Sequence, residues 1–132
     1  MAEELDADTL AFAHRMFDLA REGNTADLAE YVDAGLSVDL TNSSGDTLLI
    51  LAAYYSSPAT VRALLERGAD HSQANDRGQT ALAAAVFRSS HESVRALLAA
   101  GAEPSAGGPS ALETARFFDL PEMVALLEAS EA

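Results

Sequence analysis

Two apolar stripes, 33 positions apart, organise the chain. Val61, Leu64 and Leu65 fall at i, i+3 and i+4, the spacing of one helix face, and Val94, Leu97 and Leu98 repeat it. Ahead of each stripe lies a second apolar run, Leu48 to Ala53 in the first case and Ala81 to Val86 in the second. Thr47 and Thr80 stand immediately before these runs, where a helix N-cap belongs. Ser89-Ser90 breaks the later run, and Ser90 is placed to cap the helix that follows. In the earlier copy Ser57-Pro58 restarts the chain, with proline at the favoured first helical position. Gly68 and Gly101 close the second helices as left-handed C-caps. The pattern thus predicts two consecutive helix–turn–helix units. Helices of about ten residues do not persist alone, so stacking must bury them. The small alanines allow a neighbouring helix to come close.

Residues 42–74 and 75–107 align without a gap, and 15 of the 33 positions are identical. A fixed period of this length marks a stack of small units, each burying its apolar face against the next. The offset carries outward. Ala20 matches Ala53, Leu28 matches Val61 and Gly35 matches Gly68, with Asn24 in place of the capping serine. Leu10, Ala13, Met16, Phe17 and Ala20 extend the first helix back to about Asp8. Toward the other end the offset drops to 30: Ser110-Ala111-Leu112 matches Thr80-Ala81-Leu82, and Val124 and Leu127 match Val94 and Leu97. The turn before Ser110 is three residues shorter. The expected organisation is one domain over residues 1–132. It has an N-terminal cap repeat (9–41), two full repeats (42–74 and 75–107) and a C-terminal cap repeat (108–129). The fold class is all-α, with about four stacked helix–turn–helix units, two full-length, β-hairpin-like turns and one shortened turn.

Composition narrows the picture. Hydrophobic residues make up 48% and charged residues 22%, which fits a folded globular chain. No apolar run approaches the roughly 20 residues that span a membrane. The start, Met1 to Asp6, is acidic and unlike the n-region of a signal peptide. Cysteine is absent, so no disulfide or thiol chemistry is available. A cytoplasmic monomer is the expectation. All eight basic residues are arginine and alanine is abundant, a bias that fits a GC-rich bacterial genome.

The net charge of −13 is unevenly placed. Residues 1–41 carry ten acids and two arginines, net −8; residues 108–132 carry five and one, net −4. Residues 42–74 carry three acids and two arginines, and residues 75–107 three of each, so the middle is nearly neutral. End units of a stack need a polar outer face, which accounts for most of this charge. Such a surface repels nucleic acid and anionic membranes.

Gly45, Thr47, Leu49, Ala52, Ala53, Val61, Leu64, Leu65, Gly68, Ala69 and Asp70 resemble the ankyrin repeat. So do Gly78, Thr80, Leu82, Ala85, Val94, Leu97, Leu98, Gly101 and Ala102. The resemblance covers about residues 9–129 and is similar to that of small, free-standing bacterial ankyrin-repeat proteins. Leu48, Ile50, Ala81 and Ala83 stand where the family pattern has proline and histidine, and serines replace its Gly-His pair. These departures imply weaker hydrogen bonding between successive turns.

The resemblance implies a non-catalytic protein–protein interaction module, an accessory or inhibitory factor for a cytoplasmic enzyme. Its partner would be a protein bound on the concave face, with no cofactor. Carried over position by position, the variable residues are Ser43, Ser44 and Asp46 in the first full turn and Asp76, Arg77 and Gln79 in the second. On the inner helices they are Arg21 with Glu22, Tyr54 with Tyr55, Phe87 with Arg88, and Phe117 with Phe118. Five of the eight aromatic residues fall in these pairs. They are expected to form a column across three repeats, edged by Arg21 and Arg88. Aromatic and arginine side chains dominate binding hot spots. One member of each pair, above all at Phe117-Phe118, is also expected to pack into the core. The alternative is an acidic mimic, antitoxin-like, that blocks a basic surface with its charged ends.

Catalytic constellations are not evident. His14, His71 and His91 share no metal-ligand spacing, Gly107-Gly108-Pro109 reads as a turn, and there is no lysine for a phosphate loop. Ser89-Ser90-His91 has a capping explanation and no acid placed to complete a triad. The acid pair Glu3-Glu4 falls at a terminus expected to fray.

Overall fold

The computed structural model describes residues 7–131; Glu3 and Glu4 lie outside them. Eight helices form four successive pairs among the described residues: α1 (Ala7–Glu22) with α2 (Thr25–Asp33), α3 (Leu48–Tyr54) with α4 (Pro58–Glu66), α5 (Ala81–Phe87) with α6 (His91–Ala99), and α7 (Ala111–Phe117) with α8 (Pro121–Glu131). Helices α1, α3, α5 and α7 pack in series as one layer, and α2, α4, α6 and α8 as a second layer behind it. No strand occurs among the described residues; the turns hold only isolated bridges, Thr41 with Thr47 and Gly107 with Ser110.

Local chemistry sets the helix ends. Thr47 Oγ1 accepts from the Ile50 amide at 3.0 Å and Thr80 Oγ1 from the Ala83 amide at 3.2 Å, each satisfying an otherwise orphaned donor. Ser110 forms a full capping box: its hydroxyl accepts from the Glu113 amide while the Glu113 carboxylate accepts from the Ser110 amide. Ser90 occupies the expected N-cap position but caps nothing with its side chain, which donates to Ser93 Oγ at 3.0 Å instead.

The other ends are more regular than the sequence suggests. The amides of Ser56 and Ser57 donate to the carbonyls of Ala53 and Ala52, the paired bonds of a Schellman motif. Ser89-Ser90 and Asp119-Leu120 close α5 and α7 in the same way. Ser56, Ser89 and Asp119 therefore hold left-handed conformations, with φ of 57°, 55° and 55°. Gly68 and Gly101 fill the same role after α4 and α6, at φ of 90° and 101°.

The core lies between the layers. Met16, Leu19, Leu28, Leu49, Leu64, Leu82, Leu97, Met123 and Leu127 are fully buried. In α5 all six residues from Ala81 to Val86 are buried, because α3 and α7 pack against it from either side. Each fully buried Leu contributes roughly 1.5–3 kcal/mol of transfer free energy.

The turn tips are joined despite the departures from the family pattern. Asn42 Oδ1 accepts from the amides of Ser44 and Asp46, and Asn75 Oδ1 from those of Arg77 and Gln79. Asn75 Nδ2 then donates to Asp46 Oδ1 at 2.8 Å, and the Asp76 amide donates to the Ser44 carbonyl at 3.0 Å. The Gly108 amide donates to the Gly78 carbonyl at 3.0 Å, continuing the line to the shortened turn. The expected weakening is offset by asparagine and backbone groups. Behind them, Arg67 forks onto Asp33 at 2.9 and 3.2 Å, tying α4 to α2.

Candidate functional site

The inner layer displays aromatic side chains where its helices end. Tyr54, Phe87 and Phe117 are the last residues of α3, α5 and α7, and Tyr55, Arg88 and Phe118 are the C-caps beyond them. The left-handed residue that follows reverses the chain at once, so both members of each pair stay at the end of the inner face. Three helices in series bring the pairs into a line.

That line is continuous. Tyr54 meets Tyr55 edge-on with centroids 5.3 Å apart and stacks on Phe87 at 6.0 Å and 11°. Phe87 meets Phe118 at 5.4 Å, and Phe118 meets Phe117 at 4.9 Å, both edge-on. These are the favourable geometries for ring quadrupoles. The Arg88 guanidinium carbon lies 5.2 Å from the Tyr54 ring centroid, a cation–π contact.

Tyr55 and Phe87 leave 47% and 41% of their surface exposed, Phe118 49% and Phe117 81%. This corrects the expectation that Phe117 or Phe118 completes the core. No further inner helix follows α7 among the described residues, so nothing there covers the far side of that pair. Tyr54, stacked between neighbours, is the half-buried member of the set.

Beside the rings lies an open concavity of about 480 Å³. Tyr54, Tyr55, Phe87, Ile50 and Leu51 line it together with Arg21, Asp46, Arg77 and Gln79. Sequence reasoning missed Ile50 and Leu51. The available signal was the contrast with Ala83 and Ala84 at the equivalent positions of the next repeat. A second hollow of about 670 Å³ opens at the other end of the line, between Gly108, Pro109, Glu113, Thr114, Phe117 and Phe118.

The remaining candidates sit apart from the concavity. Ser43, Ser44 and Asp76 are exposed at the turn tips and do not line it. Arg88 reaches it only by way of Tyr54.

The polar groups around the concavity are unevenly partnered. Arg21 Nη1 donates to Asp18 at 2.9 Å, and Asp46 is held by Asn75. Arg77 and Arg88 have no carboxylate partner among the described residues. Gln79 Oε1 is buried without a hydrogen-bond partner. Elsewhere, His91 pairs with Glu122 at 3.0 Å. No group of three or more His, Cys, Asp or Glu converges on a metal position among the described residues. No helix among them is long and apolar enough to cross a membrane.

Residues 16–107 match the family model described as ankyrin repeats, in three copies. A Pseudomonas aeruginosa protein named for ankyrin repeats is 48% identical over 59 residues, which cover 45% of this chain and 34% of that protein. The matched stretch therefore spans about a third of the relative's length.

Proposed function

The chain belongs to the ankyrin-repeat family, whose members are generally protein–protein interaction modules, and on that premise we propose that its inner face docks a protein partner. The observation that carries this reading is the aromatic line from Tyr55 to Phe117. A folded chain gains little by leaving four rings 41–81% exposed in one continuous strip. Fully burying an exposed aromatic contributes roughly 1.5–3 kcal/mol, so covering a ring that is already half-buried would contribute roughly half of that.

In this reading the protein performs no chemistry. It acts as a cytoplasmic monomer that modulates an enzyme by covering part of its surface, and it binds neither nucleic acid nor membrane. The domain runs over residues 1–132, with cap repeats at 9–41 and 108–129 around the repeats 42–74 and 75–107. Arg21, Ser43, Ser44, Asp46, Tyr54, Tyr55, Asp76, Arg77, Gln79, Phe87, Arg88, Phe117 and Phe118 make up the docking face.

The test is capture of partners from native lysate by wild type and by a Tyr54→Ala, Tyr55→Ala, Arg88→Ala variant of unchanged helical content. Loss of capture in the variant supports the reading, and undiminished capture refutes it. Salt separates it from blockade of a basic surface by the acidic ends. Docking on rings persists at 1 M salt, where the Debye length is about 3 Å, whereas end-charge binding is lost.

A further inference from the structure

The middle of the inner face differs in charge from the rest of the molecule. The chain carries 21 acids and eight arginines. Three of those arginines, Arg21, Arg77 and Arg88, gather at one concavity and the ring beside it. Of the acids near them, only Asp18 forms an ion pair with one of these arginines. Asp18 holds Arg21, Asp46 accepts from Asn75, and Asp76 lies at the turn tip against Gly45. Arg77 and Arg88 make no ion pair among the described residues and stand beside exposed tyrosine and phenylalanine.

A guanidinium presents a planar fork of donors that matches a carboxylate. Gln79, which lines the same concavity, carries a side-chain amide that can pair with a peptide group. Tyr55 and Phe87 offer flat apolar surface next to both. A polypeptide segment supplies all three complements at once: a side-chain carboxylate, backbone N–H groups and apolar side chains. Resting on the inner-face reading above, we infer that the concavity takes a short acidic segment of the partner. Its carboxylate meets Arg77, and an adjacent aromatic or branched aliphatic side chain lies on Tyr55 and Phe87. The acidic ends repel a partner that is acidic throughout, so the carboxylates are confined to the docked stretch.

Panning a random peptide library against the immobilised full chain tests this. The expected peptides carry Asp or Glu beside an aromatic or aliphatic residue. Their synthetic versions should bind about tenfold more weakly to an Arg77→Glu, Arg88→Glu variant, and panning on that variant should select Lys or Arg instead. Acid-free or basic peptides that bind wild type, and that a Tyr55→Ser, Phe87→Ser variant rejects, would overturn the acidic assignment and leave the inner face as the docking site. Peptides that bind the ring variant as well as wild type would overturn both. A library that yields no binder overturns the acidic assignment as well.

Discussion

Tyr54 and Phe87 stack almost parallel, with ring centroids 6.0 Å apart and planes 11° from each other, across the boundary between two successive repeats. The two residues stand one 33-residue period apart in sequence. Equivalent positions of neighbouring units thus meet through their rings at the edge of the inner face. The stack links the repeat architecture to the surface that the protein offers.

Because these rings are partly exposed, their removal should cost binding far more than stability. Phe87→Ala and Tyr55→Ala should each lower unfolding free energy by about 1 kcal/mol, the scale of one aromatic pair. Leu97→Ala, at a fully buried position, should cost about 3 kcal/mol. Urea denaturation of the three variants checks the contrast.

The left-handed serines are a reserve of stability. At φ of 55°, Ser89 carries a steric penalty that glycine lacks. Ser89→Gly and Ser56→Gly should each stabilise the fold by about 0.5 kcal/mol after the greater backbone entropy of glycine is counted. Asp119→Gly should gain less, since aspartate tolerates this region better. Ser89→Val should destabilise. Thermal unfolding distinguishes these signs.

Asn75 holds two turns together. It is buried and its side chain makes three hydrogen bonds, two within its own turn and one to Asp46 of the preceding turn. Asn75→Ala should cost about 2 kcal/mol. Asn75→Asp keeps the acceptor but sets a carboxylate against Asp46. That repulsion raises the folded-state pKa of the new group, so its stability deficit should appear as pH rises through the carboxylate range and fade below about pH 4. Denaturation of both variants across this range provides the check.

Acid dependence should also arise at Asp70. The Ser72 hydroxyl and amide both donate to its carboxylate and hold its pKa below the ordinary value. The stabilisation is present above the unfolded-state pKa and is lost as pH falls through the lowered folded value. Ser72→Ala should therefore be less stable than wild type at neutral pH and equal to it in strong acid. The difference is small, because the carboxylate is exposed and screened.

The stack was legible in the sequence because its determinants are local and repeated. Thr47 and Thr80 cap, Gly68 and Gly101 terminate, and Leu64 and Leu97 point inward at a fixed spacing. The capping box at Ser110 and Glu113 was not anticipated, although a serine three residues ahead of a glutamate makes it legible. The left-handed serines were not legible, because serine is disfavoured in that conformation and only the surrounding Schellman bonds impose it. Nor was the exposure of Phe117, since whether a ring is covered depends on what stacks beyond the last inner helix. The column of rings could be placed from the repeat alone, but its concavity depends on side-chain volumes at Ile50 and Leu51 that a period does not encode.

The claim that the inner face is the docking site is tested most directly by amide hydrogen exchange of the chain with and without its captured partner. Slowed exchange is expected in the turn tips at residues 43–46 and 76–79 and around the C-caps at 54–57 and 87–90. Protection confined to α2, α4, α6 and α8, or to the acidic ends, with these segments unchanged, would contradict it.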